Sequence, residues 1–138
     1  VHRVRQAFPD LHISLNGGIE TLEDAIDHLN DGFEAVMLGR AAYHDPGAVL
    51  GRVDALVFDP NAGVVNRSDA ARAMFGYIDD HLRSGGRLHQ VTRHMLGLFH
   101  GQPGARAWRR TLSETANVPG AGLEVLDAAL GHVTQDAA

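Results

Sequence analysis

Residues 11–44, LHISLNGGIETLEDAIDHLNDGFEAVMLGRAAYH, carry the pattern that decides the fold. LHISL alternates apolar and polar residues as a strand does, and Pro9-Asp10 ahead of it ends a helical stretch. Asn16-Gly17-Gly18 follows at once. Behind Thr21, Leu22, Ala25, Ile26 and Leu29 recur at i, i+3, i+4 and i+7, with Asp24 placed as in a capping box. That spacing predicts a short amphipathic helix, which Asn30-Asp31-Gly32 stops. Ala35-Val36-Met37-Leu38 is an unbroken apolar run of the type found in parallel strands covered on both faces, and Gly39-Arg40 closes it. The order strand, glycine turn, helix, strand, Gly-Arg turn, helix predicts a parallel α/β unit with a right-handed connection.

Beyond Tyr43 this regularity is lost. His44-Asp45-Pro46-Gly47 and Asp59-Pro60-Asn61-Ala62-Gly63 interrupt short apolar pieces, so residues 43–66 read as irregular and contain a domain junction. From Arg67 the period becomes 3.6. Met74, Phe75, Ile78 and Leu82 mark one helix, ended by Ser84-Gly85-Gly86. Leu88, Val91, Met95, Leu98 and Phe99 mark a second, ended by Gly101-Gln102-Pro103-Gly104. Ala105, Trp108 and Leu112 mark a third, and Leu123, Leu126, Leu130 and Val133 a fourth. The division is thus an α/β part over 1–58, a linker over 59–66 and a small all-α bundle over 67–134, with 135–138 as a frayed tail.

The 138 residues fall well short of the ~250 of a closed (β/α)8 barrel, so any barrel formed by this chain is partial. The opening VHRVRQAF has no initiator methionine and reads as the interior of a longer chain. No cysteine is present, which excludes disulfides, thiolate metal sites and a cysteine nucleophile within these residues. No apolar run approaches the ~18–20 residues of a membrane span. The net charge of −5 is unevenly spread. From His81 to Ser113 there are six arginines, four histidines and no Asp or Glu, a charge of +6, and the remainder carries −11. An acidic scaffold joined to a basic surface points to a polyanion as partner. A helix pair whose acidic neighbours lie elsewhere in the sequence gives the same count.

Two places suit chemistry. In parallel α/β proteins ligands bind at the loops after the strands, and two such loops rich in backbone N–H groups make an anion site. Gly17, Gly18 and Gly39 let the backbone approach an oxygen closely, and Arg40 offers a charge-assisted bond to a phosphate. The plainer alternative is a tight turn and a solvated arginine. On the third bundle helix, Arg106, Arg109 and Arg110 fall within a fan of about 100°, opposite Ala105, Trp108 and Leu112. Such a face grips phosphates of RNA, whereas Trp108 sits at core spacing. The nine histidines form no ligand framework, and His94 and His100 are read as packing or RNA-contacting residues. Glu23-Asp24 and Asp79-Asp80 read as solvated helix exteriors, and Ser14 lacks the G-x-S-x-G elbow of a serine hydrolase.

The segments SLNGGIETLEDA, AVMLGRAAYHDPG and above all VTRHMLGLFHGQPGARAWRRTLSE resemble the C-terminal part of a tRNA-dihydrouridine synthase of the A subfamily. The resemblance extends from about Pro9 to His132. It implies the last two β/α units of an FMN-binding (β/α)8 TIM barrel followed by a helical tRNA-binding domain. It further implies that Asn16, Gly17, Gly18, Gly39 and Arg40 bind FMN, chiefly at its phosphate, and that Arg106 and Arg109 contact tRNA. Arg93 and His94 lie in the same motif block. The family reduces the C5=C6 bond of D-loop uridines with NADPH through FMN, while a cysteine on an earlier loop supplies the proton. Neither that cysteine nor the flavin-holding lysine is in this chain, so no catalytic residue is expected here and the chain by itself is expected to be inactive. The implied partner is tRNA, with neither DNA nor membrane, and the implied location is the cytoplasm. Two other readings stay open on the residues alone: a phosphate-binding barrel oxidoreductase of another family, and a free-standing helical RNA-binding module.

Overall fold

Two short strands organise the first half of the molecule. In the computed structural model, which describes residues 2–134, β1 (Ser14–Asn16) pairs in parallel with β2 (Ala35–Met37), placing Leu15 opposite Val36. The tail expected at 135–138 lies outside the described residues. Helix α1 (His2–Ala7) precedes β1, and α2 (Leu22–Asn30) links the strands. Thr21 caps α2 as its spacing predicts, its Oγ1 accepting from the Asp24 amide at 3.0 Å. Leu15, Ile19, Ala25 and Phe33 form a small core between sheet and helix. The strand run expected to be covered on both faces is covered on one only. Val36 is half-buried and Met37 is 59% exposed, because a two-stranded sheet with one helical layer has nothing to place on its other side.

The stretch read as irregular is largely helical. Helix α3 (Arg40–His44) and α4 (Pro46–Val53) run into a π-helical turn over Asp54–Phe58. Asp45 and Pro46, which look like breakers, are a helix start: the Asp45 carboxylate accepts from the Ala48 amide at 3.0 Å, and Pro46 occupies the first turn, where no N–H is needed. Residues 59–66 carry no regular element. Helix α5 (Arg67–Arg83) then begins at Asn66, whose side chain accepts from the Ser68 and Asp69 amides.

Helix α6 (Leu88–Thr92) is shorter than the apolar pattern to Phe99 predicts. Residues 93–101 instead form successive turns, with i to i+3 bonds such as Leu98 N–H to Met95 O at 3.0 Å. Contact with α3 accounts for this. A Cβ on Gly97 would lie 2.5 Å from the His44 carbonyl oxygen, so the chain here is pressed against backbone. Helices α7 (Ala105–Thr115) and α8 (Leu123–Thr134) pack together and complete the bundle. Trp108 is fully buried at its centre, with Nε1–H donating to the Met95 carbonyl at 3.1 Å and the Phe99 ring edge-on at 4.8 Å.

The two halves meet at a partly buried ion pair. Arg67 Nη1 lies 2.7 Å from Asp45 Oδ1 and also donates to the Leu98 carbonyl at 2.6 Å, while His100 Nδ1 stands 3.5 Å from Asp45 Oδ2. Burial pushes the Asp45 carboxyl up, but the Arg67 guanidinium and the Ala48 amide outweigh it and hold the group below its ordinary range. A carboxyl lowered in the folded state contributes stability above its unfolded pKa, and that contribution is lost as pH falls through the folded value. Chemical denaturation should therefore find Arg67→Ala destabilised by about 2 kcal/mol near neutrality. In Asp45→Asn the stability should fall less steeply than in the parent below about pH 4. Gly97→Ala should also lower the melting temperature, since the carbonyl it meets is backbone and cannot rotate away; an unchanged melt would mean that residues 93–101 can shift freely.

Candidate anion site and basic face

Because β1 and β2 run parallel, the loops after Asn16 and Met37 leave the sheet at the same end. There they border a hollow of about 300 Å3 lined by Gly18, Ile19, Glu20, Arg40, Ala41 and His44. Gly18 and Arg40 thus converge, while Asn16, Gly17 and Gly39 stand on the same loops without lining the hollow. Gly17 and Gly18 have φ of 102° and 74°, a region that side chains rarely adopt, so the turn itself calls for glycine there. Gly39 differs. Its φ is −93° and a Cβ added to it would meet nothing within 4 Å, so neither backbone nor packing calls for glycine. Close approach of a ligand at that loop would.

Arg40 is exposed, and among the described residues it makes no ion pair. Its guanidinium is available to an anion, although the Glu20 carboxylate on the same rim opposes one. The helix that Arg40 opens has five residues, so the guanidinium and loop amides rather than a helix dipole supply the attraction.

The fan on α7 is formed as its spacing predicts: Ala105, Trp108 and Leu112 are buried, and Arg106, Arg109 and Arg110 are exposed. Glu114 stands one turn after Arg110, and no ion pair joins them among the described residues. The structure separates the two arginines singled out for RNA. Arg109 borders a second cavity, of about 470 Å3, together with Tyr43, His44, Arg93, His94 and His100, whereas Arg106 does not. His44 borders both hollows, so the anion site and the basic face adjoin.

Tyr43 and His44 were hidden from sequence reasoning in their role at this junction, whereas His100, read as a packing or RNA-contacting residue, joins them in the cavity wall. Their one sequence signal is proximity to the Gly-Arg turn and to the arginine block. His94 is neither a core residue nor isolated: its Nδ1 lies 3.1 Å from the Tyr43 hydroxyl and its Nε2 is 3.0 Å from Arg93 Nε. The carboxylates read as merely solvated also find partners, Glu23 with Arg52 and Asp79 with Arg83, each at 2.7 Å. Its own backbone amide, and after it Arg52, hold the Glu23 carboxyl below its ordinary range.

Residues 1–134 match a family model described as dihydrouridine synthase. A protein of Yersinia pestis named tRNA-dihydrouridine(20/20a) synthase is 48% identical over 134 residues, covering 97% of this chain and 38% of its own length. A protein of the same name from Shewanella oneidensis is 47% identical over 136 residues, covering 99% of this chain and 40% of its length. One from Vibrio cholerae is 45% identical over 132 residues, covering 96% and 40%. The chain spans about two fifths of the length of these curated relatives.

Proposed function

This chain belongs to the dihydrouridine synthase family, and on that premise we propose that it forms the flavin-phosphate and tRNA-gripping part of an FMN-dependent tRNA-dihydrouridine synthase. The observation that carries the reading is the convergence of Gly18 and Arg40 on one hollow beside two parallel strand ends, with an exposed arginine face next to it that makes no ion pair among the described residues. The same convergence favours a barrel end over a free-standing RNA module, which has no use for a strand-end anion site.

The residues fit a phosphomonoester. Gly17, Gly18 and Gly39 expose backbone that a phosphate oxygen can approach, Asn16 stands at the end of β1, and Arg40 supplies the cation. When bound, FMN supplies the electron transfer from NADPH to a uridine C5=C6 bond. This chain's part is to hold the phosphate end and so fix where the flavin lies. Its arginines hold the RNA backbone, which carries affinity rather than sequence choice. The proton step needs a donor that this cysteine-free chain does not contribute as a thiol. A tRNA partner puts the reaction in the cytoplasm, and no helix among the described residues is long and apolar enough to cross a membrane.

Two strands enclose little of a flavin, so the chain purified with excess FMN should retain no stoichiometric flavin spectrum. In 1H–15N correlation spectra, millimolar FMN should move the amide signals of Gly17, Gly18, Gly39 and Arg40 while riboflavin leaves them still. Equal responses to both would remove the phosphate assignment. Retention of tRNA should weaken steeply with salt, and Arg106→Ala with Arg109→Ala should reduce the log–log salt slope by about two. An unchanged slope would place the RNA surface elsewhere.

A further inference from the structure

We propose that the junction cavity is a seat for one phosphodiester of an RNA backbone, gripped by Arg93 and Arg109, and that His94 is the positioning residue that aims Arg93. The proposal rests on the tRNA reading above and deepens it.

The cavity is lined by Tyr43, His44, Arg93, His94, His100 and Arg109 with Leu96 and Gly97, and no carboxylate is among its lining residues. Arg93 and Arg109 are exposed and make no ion pair among the described residues. The Asp45 carboxylate lies behind the wall, engaged with Arg67 at 2.7 Å and with His100 at 3.5 Å. Two arginines therefore border one cavity whose lining holds no carboxylate. The three histidines do not form a metal-holding group among the described residues.

His94 decides how one of those guanidiniums is presented. Arg93 Nε–H can only donate, so His94 Nε2, 3.0 Å away, must accept. The ring proton then sits on Nδ1 and is donated to the Tyr43 hydroxyl at 3.1 Å. Tyr43 keeps its own O–H for an outward acceptor. With Nε engaged by His94, the two terminal nitrogens of Arg93 are left for another acceptor, a fork whose geometry suits two phosphate oxygens. A chain of three bonded groups thus reaches from α3, which opens at Arg40, to the basic block.

The test uses this 138-residue chain and a tRNA transcript, titrated by fluorescence anisotropy at several salt concentrations. Arg93→Ala and Arg109→Ala should each weaken binding about tenfold and lower the salt slope by about one. His94→Leu should lose as much as Arg93→Ala, yet add nothing in the Arg93→Ala background. His94→Gln, which keeps an acceptor at the right reach, should restore most of the affinity. Long-range 1H–15N spectra of the imidazoles should find His94 protonated on Nδ1, a signature independent of RNA. Binding that persists unchanged in Arg93→Ala overturns the seat while leaving the tRNA reading in place. An Nε2-protonated His94, or additive losses in the double variant, overturns its positioning role. No retention of tRNA by the parent chain even at low salt overturns the seat and the reading beneath it together.

Discussion

Asp45 holds the two halves of the molecule in register with a single carboxylate. One oxygen accepts from the Ala48 amide and starts α4, and the same atom meets Arg67 at the first turn of α5, while the other faces His100. Arg67 in turn reaches the Leu98 carbonyl. Segments that are far apart in sequence are thereby pinned around one partly buried charge pair, with side-chain exposures of 19% and 24%. Such a pair yields little net stability compared with apolar packing, because both ions lose water; its value lies in direction. Directional bonds from one guanidinium nitrogen, Arg67 Nη1, to Asp45 and to the Leu98 carbonyl fix angles that a greasy contact leaves free, and they tie the start of α5 to the segment 93–101 that borders the cavity.

Much of this was legible in the residues, and the illegible parts share a cause. The period of 3.6 found α5, α7 and α8, because each buries one face against a single bundle core built around Trp108. The parallel pairing of two strands was legible in LHISL and AVML, but β1 covers only Ser14–Asn16, so residues 11–13 of the alternating run are not strand and Asn16, read as part of the turn, is. The Thr21 cap followed from its spacing to Asp24. Helices α3 and α4 escaped because His44-Asp45-Pro46-Gly47 obeys turn chemistry and helix-start chemistry equally well, and only the neighbours decide between them. The opposite error at 93–101 has the mirror-image origin. The apolar spacing is helical, but Gly97 is pressed against the His44 carbonyl, and that contact over 50 residues of sequence sets the local conformation.

The candidate sites divide along the same line. The glycine turns and the arginine fan were visible because each is a local pattern. Which of their members converge was not. Arg109 joins Arg93 in the wall of one cavity whereas Arg106 is not among its lining residues, and Tyr43 enters through a hydrogen bond to a histidine 51 positions later. Gly39 belongs to a third kind: its identity is odd only once its ordinary φ and empty surroundings are seen.

His44 stands in the walls of both hollows. A shared wall links two binding equilibria: a change in that imidazole's orientation caused by an occupant of the first hollow alters the free energy of filling the second. The effect is reciprocal by necessity, so whatever an occupant of one hollow does to binding in the other, an occupant of the second does equally to the first. Affinity measured at either hollow alone is then conditional on the state of the other.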